Sequence, residues 1–546
     1  MTNSQAFTVA CIAAACACAA QVRADVVTDW NTIAGEMVVQ ARIGTPPANR
    51  IMAIVQTAVH EAVLQAPEGI GTEAAVAAAS RAALAKLLPQ QEAAVTAAYR
   101  AALARLADSP VTAAGIAAGE NAAARVLAWR ADDGASAPER YRPHAAPGAY
   151  VPTAGVAAPQ WAQRKPWLMA DAAQFRPGPP PALGSVQWAR DYNEVKALGA
   201  KASAQRTPEQ TEVARFWEYS LPPIYHAVVR SVALTPGRSV EDNARLFAAA
   251  GQAMDDALIA VLEAKYHYGF WRPVTAIRNG DRDDNNATER DAAWTPLIDS
   301  PAHPEYPSAH SILAGALGEL LKAEVGPRPM PELATSSPTA AGKTRRWTSI
   351  DAFMQEVAEA RVWEGLHYRT STEVGLAMGR KLGALAATRV ARAPAPAPVP
   401  QALAPRGRHT LLESIAARGV QVYECRADGG SPTGSRWVFV APQADLYDAA
   451  GAQVGTHYGG PHWEAADGSR IVGAVEARAE APQADAIPWL LLSAKSVGPD
   501  GRFAKVTTVQ RVNTSGGVAP ARSCATGALG ATERVPYTAD YLFYAS

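Results

Sequence analysis

The sequence predicts a multidomain chain: a mainly α-helical bundle followed by a smaller, β-rich, sandwich-like domain. Three observations carry that reading. Apolar residues recur at helical spacing from Asp25 to about residue 390. A Pro/Ala stretch, Ala-Arg-Ala-Pro-Ala-Pro-Ala-Pro-Val-Pro, then opens a linker over 391–405. Beyond it, over 406–546, the pattern changes to short β-type runs between Gly, Asp and Pro turns. A chain of 546 residues is also too long for one ordinary core.

The chain begins with an apolar, small-residue run over 6–20, and Val22-Arg23-Ala24 offers small residues before a cleavage at Asp25. Residues 1–24 therefore read as a signal peptide, with the mature protein periplasmic or secreted. Cys16 or Cys18 in an alanine run leaves a lipoprotein as the alternative. Cys11, Cys16 and Cys18 fall in this leader, so only Cys425 and Cys524 remain to form one disulfide. No later apolar run reaches the roughly 18 residues of a membrane span. Lys plus Arg balances Asp plus Glu at 51 each, so no basic field favours nucleic acid. Homo-oligomerisation is left open.

From Asp25 to about Leu64, Ile51, Ile54, Val55, Ala58 and Val59 share one helical face. Residues 72–131 are alanine-rich helices interrupted near Pro89 and at Ser109-Pro110. Residues 133–187 are rich in Pro, Gly and aromatics and read as an ordered wrap anchored by Tyr150, Trp161, Trp167 and Phe175. Helices resume at about 187–204 and 208–219. A further helix from Asn243 carries Leu246, Met254, Leu258 and Leu262 inward, and Lys265 continues that face. One starting at Ser308 buries Leu313, Leu317, Leu320 and Leu321 and places His310 on their side. Another, Ile350 to Glu364, buries Phe353 and Val357, with Arg361 four residues on.

In the β-rich part the expected strands are Gly419–Cys425, Trp437–Val440, Arg470–Val475, Trp489–Leu492, Ala504–Val512 and Tyr541–Tyr544. His457 and His462 read as structural, since no third ligand accompanies them.

The chemistry concentrates between Lys265 and His367. Lys265, six residues, Arg272-Pro273; Pro307-Ser308-Ala309-His310; Arg361, five residues, His367: three cations, a hydroxyl and two imidazoles suit a tetrahedral oxyanion. Ser308 at a helix N-terminus caps it, and the N–H of Ala309 presents positive dipole to an anion. Three helices each turning a cationic or titratable group into an apolar face require a shared counter-charge.

This spacing resembles the signature of the superfamily uniting type-2 phosphatidic acid phosphatases and vanadium-dependent haloperoxidases, and Trp271 to Arg278 with His303 to Ser308 is most similar to its exported bacterial haloperoxidase-like branch. The resemblance implies that Lys265, Arg272, Ser308, Ala309 and Arg361 cradle vanadate or phosphate. It also implies that His367 binds vanadium and that His310 is the general acid and base. Ala309 replaces the usual Gly, Ala360 a common Ser, and Ser371 an Asp that commonly orients the imidazole, so the partner of His367 is not given by the motif. His303 stands at a position that is His in bromide-preferring members, which implies bromide and iodide oxidation. The C-terminal part, through Gly419–Cys425, His457–Trp463, Pro488–Leu492 and Gln510–Gly517, resembles a bacterial secreted domain of unknown function.

The expected function is thus an exported haloperoxidase using vanadate, hydrogen peroxide, halide and a small organic acceptor. The alternatives are an acid phosphatase acting on a phosphate ester, with His367 as nucleophile, and a non-catalytic exported binding protein.

Overall fold

A computed structural model describes residues 25–390 apart from 153 and 154, and residues 399–545 apart from 406, 408, 431–433, 449–452, 482–484, 521–523 and 525–527. The expected signal peptide, 1–24, and most of the expected linker, 391–398, lie outside the described residues. The chain divides into two units, Met1–Ala391 and Arg392–Ser546.

The first unit is helical: α1 (Val26–Gln40), α2 (Thr45–Val63), α3 (Ile70–Leu87), α4 (Glu92–Leu103), α5 (Pro110–Trp129), α6 (Val186–Leu198), α7 (Pro208–Trp217), α8 (Pro223–Ala233), α9 (Val240–Tyr268), α10 (Pro273–Arg278), α11 (Ala309–Val325), α12 (Ile350–Trp363) and α13 (Arg369–Val390). At its centre lies α9. From Asn243 to Lys265 almost every residue is buried, as a helix surrounded on all sides must be. A Ser239 capping box starts it and Gly269, in the left-handed conformation, stops it.

The Pro-rich stretch after α5 is fastened to α9 by two buried carboxylates. Asp256 accepts the backbone N–H groups of Trp167, Leu168 and Met169 at 2.7, 2.8 and 3.1 Å. Asp255 takes Trp167 Nε1 at 2.8 Å and both terminal nitrogens of Arg164. A segment without its own ladder thereby has its polar groups satisfied from the helix it covers. Trp161 and Tyr150 are buried in it.

α13 lies against α11 at glycine contacts. A Cβ on Gly375 would sit 2.7 Å from the Ser308 carbonyl oxygen, and one on Gly379 2.3 Å from that of Ile312. Any larger residue would push α13 away from the start of α11. A hairpin not expected from the sequence, β1 (Leu333–Ser337) with β2 (Lys343–Trp347), separates α11 from α12.

The second unit is antiparallel: β3 (Thr410–Ala427), β4 (Ser435–Tyr447), β5 (Gln453–Tyr458), β6 (His462–Ala465), β7 (Arg470–Ala479), β8 (Trp489–Ser496), β9 (Thr508–Gly516) and β10 (Thr532–Ala545). The β-rich expectation holds, but the strands close into a barrel instead of facing each other as two sheets. The reason is that β10 pairs with both β9 and β3, so neither end of the meander is left as an edge. Register shifts at Val422/Tyr423, Thr538/Asp540 and Val475/Ala477 bend the long strands that closure requires. Cys425 and Cys524 are disulfide-bonded, tying the end of β3 to the segment between β9 and β10.

Candidate active site

Residues from separate parts of the helical unit converge on a cavity of about 250 Å3, whose lining includes His303, Ala309, His310, Arg361 and His367. Leu258, Leu262 and Leu313 form its apolar wall. Lys265, Arg272 and Ser308 do not line it but are buried immediately behind residues that do.

Lys265, at the end of α9, is fully buried and donates to the carbonyls of Pro304 and Glu305 at 3.0 and 2.6 Å. Burial and the neighbouring Arg272 hold its ammonium well below the usual lysine range. Arg272 caps α10 and locks two loops together. Its Nε donates to His303 O at 3.0 Å, Nη1 to Leu366 O at 3.0 Å and to His367 Nε2 at 3.3 Å, and Nη2 to His303 Nδ1 at 2.9 Å. Of the five guanidinium N–H groups one therefore remains for a ligand.

Those contacts decide tautomers. Arginine can only donate, so His367 Nε2 carries a lone pair and Nδ1 carries the proton. That proton meets Glu305 Oε1 at 2.8 Å. Glu305 also accepts Tyr368 N at 3.1 Å and, through Oε2, the Ser371 hydroxyl at 2.7 Å. The partner of His367 is thus Glu305, and Ser371, where the motif offered no carboxylate, holds that glutamate. By the same rule His303 Nδ1 accepts from Arg272, so the 3.2 Å approach of Nδ1 to Pro304 O is not a hydrogen bond.

Burial pushes the Glu305 carboxyl up to about 7 against the opposing pull of Lys265 and Arg272. It holds His367 well below the usual imidazole range, with Arg272 and Lys265 adding to the effect. His310 is lowered in the same way by burial and then by Arg361, so it is neutral. Its Nε2 has no hydrogen-bond partner.

Ser308 is the N-cap of α11. Its Oγ accepts Ser311 Oγ at 2.9 Å and Ser311 N at 3.4 Å, leaving its own O–H to donate outward. Ala309 is the first helical residue, whose N–H has no partner within the helix. Arg361 donates Nη1 to Trp217 O at 3.0 Å and pairs with Glu364 at 2.5 Å, while its Nε is buried without a partner.

The residues fit an oxyanion. Two buried guanidinium groups, Arg272 and Arg361, and the buried Lys265 amine are set against two buried carboxyls whose ionisation burial opposes, Glu305 pushed up to about 7 and Glu364 to about 8. Unused donors remain on Arg272, Arg361 Nε, Ser308 and Ala309, and they surround an imidazole lone pair. The cage therefore lacks an anion and an electrophile, not further protein groups.

Compared with known proteins, residues 245–395 match the family described as the VCPO second helical-bundle domain, and residues 405–545 match a protein family of unknown function, DUF3455. A solved structure described as the first bacterial vanadium-dependent iodoperoxidase aligns with TM-score 0.57 and 23% identity, covering 67% of this chain and 97% of that one. The helical unit has the vanadium haloperoxidase fold. A holo-type bacterial vanadium-dependent chloroperoxidase also aligns with it, at TM-score 0.53 and 20% identity over 64% of this chain and 93% of that chain. Vanadium chloroperoxidase of Curvularia inaequalis is 26% identical over 208 residues, 32% of this chain and 34% of the relative, so the match spans about a third of that protein's length.

On this haloperoxidase fold the six motif residues Lys265, Arg272, Ser308, His310, Arg361 and His367 come together. Sequence reasoning missed Glu305 and the Trp217 carbonyl. Glu305 had one signal, an acid in the Pro-flanked run just before Ser308, but nothing local tied it to a histidine 62 residues away.

Proposed function

We propose that the chain is an exported vanadate-dependent haloperoxidase that oxidises bromide or iodide with hydrogen peroxide. The observation that carries the reading is His367 Nε2: an imidazole lone pair fixed by Glu305 at the opposite ring nitrogen and facing the Arg272 guanidinium at 3.3 Å, beside further cationic donors that have no partner. The fold shared with bacterial vanadium haloperoxidases supports the oxidative over the phosphoryl-transfer chemistry of such a cage.

His367 Nε2 would hold vanadium, while Lys265, Arg272, Arg361, Ser308 and the Ala309 N–H would bind the negative oxygens. Vanadium(V) supplies a Lewis acid that polarises peroxide toward halide attack without itself changing oxidation state. His310, neutral through burial, would take a proton from hydrogen peroxide at Nε2 and return it to the departing oxygen, so that hydrogen peroxide, halide and one further proton from solvent give hypohalous acid and water. The leucine wall limits bulk water, which strengthens every charge interaction inside. His303 contributes to the halide side of the cavity, its ring oriented by Arg272.

Purified protein reconstituted with orthovanadate should brominate or iodinate an organic acceptor in the presence of peroxide. It should show little activity with chloride and little phosphate-ester hydrolysis without vanadate. Phosphatase activity of the apo form without any vanadate-dependent halogenation would overturn the reading in favour of the phosphatase.

A further inference from the structure

We propose that the β-barrel unit is a binding module whose cavity takes a small aromatic carboxylate. The barrel is packed at one end and hollow at the other. Phe503 and Phe543 stack at 4.9 Å in a core with Ile415, Leu446 and Val509, and Phe543 pairs in register with Val509. One inward-facing step along the same strands, Tyr541 pairs with Arg511, and there a cavity of about 380 Å3 begins. Eight antiparallel strands give an interior just wide enough to be filled by side chains or to hold one small ligand.

The walls are aromatic and apolar: Tyr423, Phe439, Trp463, Leu490 and Tyr541 line them, with His457 stacked on Trp463 at 4.5 Å. At the rim Phe439, Val440 and Val475 remain 49%, 46% and 52% exposed, an apolar mouth uncommon on a strand surface.

The polar groups among these walls are mostly donors. Trp463 Nε1 and Gln421 Nε2 belong to residues 1% and 2% exposed, line the cavity and have no hydrogen-bond partner. Arg511 directs Nε and Nη2 at the Pro488 carbonyl, at 3.2 and 2.8 Å. Arg478 stands exposed in the same lining. Among the described residues neither arginine has a carboxylate within ion-pair distance, and no Asp or Glu lines the cavity. Buried donors without acceptors are costly unless something supplies the acceptors. A flat body between Tyr423, Trp463 and Tyr541, with a carboxylate reached by the guanidinium groups, satisfies both halves of the lining.

Calorimetric titration of the full chain without vanadate tests this independently of the haloperoxidase reading, with 2-naphthoate as probe. Naphthoate should bind saturably, and neutral 2-naphthamide and aliphatic octanoate should each bind at least about 10-fold more weakly. Arg511→Gln and Arg478→Gln should each weaken naphthoate binding by about 5-fold or more. Arg478 is exposed and forms no ion pair among the described residues, so its variant keeps the test decisive if Arg511→Gln lowers the melting temperature. No saturable binding up to about 1 mM, naphthamide equal to naphthoate, octanoate tighter than naphthoate, or wild-type affinity in Arg478→Gln would overturn the proposal.

Discussion

The two units each enclose a cavity, and the cavities are built on opposite principles. In the helical unit the site is built from residues far apart in sequence, held by backbone carbonyls or by a buried acid, so that several N–H groups are left over beside an imidazole lone pair approached by Arg272 at 3.3 Å. In the barrel the lining comes mostly from neighbouring strands and the turns that join them, and the polar groups left over are isolated donors among aromatic rings. Reaction needs the first arrangement, because a proton acceptor, a ligand atom and compensating charge must sit at fixed positions. Recognition needs only the second.

The contrast breaks most severely at His367. His367→Ala removes the only imidazole lone pair held by Glu305 and Arg272, and vanadate affinity by equilibrium dialysis should collapse together with halogenation. His310→Ala should keep substantial vanadate binding and lose about 100-fold in turnover. Equal vanadate affinity in His367→Ala and wild type would end the assignment. One step out, Glu305→Gln leaves the shape and removes the charge that fixes the His367 tautomer, so vanadate affinity should fall by about 10- to 100-fold. Naphthoate binding by the barrel should be unaffected.

Smaller effects test the barrel. The Cys425–Cys524 bridge closes a sequence separation of 99 residues. Replacing both cysteines by serine should lower the stability of the second unit by about 4 kcal/mol on the chain-entropy account. Hydrogen exchange should show the loss within residues 399–545, with vanadate binding unchanged. The last effect concerns pH. Burial lowers His457 to about 3, so its contribution is fully present above the unfolded value of 6.5 and is lost as pH falls toward 3. His457→Phe keeps the ring stack on Trp463 and should flatten the fall in melting temperature over that window. An unchanged slope would show that other groups govern acid unfolding.

The helices were legible because their apolar faces repeat with the period of the helix, and the six motif residues because their spacing is local within three short stretches. Glu305 was not, since its role is created only when the segment before α11 meets the turn after α12. The wrap after α5 read as ordered and anchored by its aromatic residues, but its polar fasteners, Asp255 and Asp256, look from sequence like two acids on a helix. Barrel closure was likewise hidden: a strand's pattern reports that one face is buried, not whether the first and last strands meet. The short strand β6 (His462–Ala465) and the hairpin β1–β2 carried too few residues to show a period.

Ser371 donates its hydroxyl to Glu305, while its carbonyl accepts the N–H of Ser308 at 3.1 Å. Position 371 is therefore bound to the acid and to the start of α11 at once. An aspartate placed there alone would bring a second carboxylate against Glu305 in a buried site, and one of the two would have to retain a proton. A glutamate at 305 and a hydroxyl at 371 thus make an epistatic pair, in which exchanging either is harmful until the other is exchanged as well. Sequences that carry an acid at 371 should then lack one at 305, and chimaeras that mix the two solutions should lose the fixed imidazole although every motif residue is present.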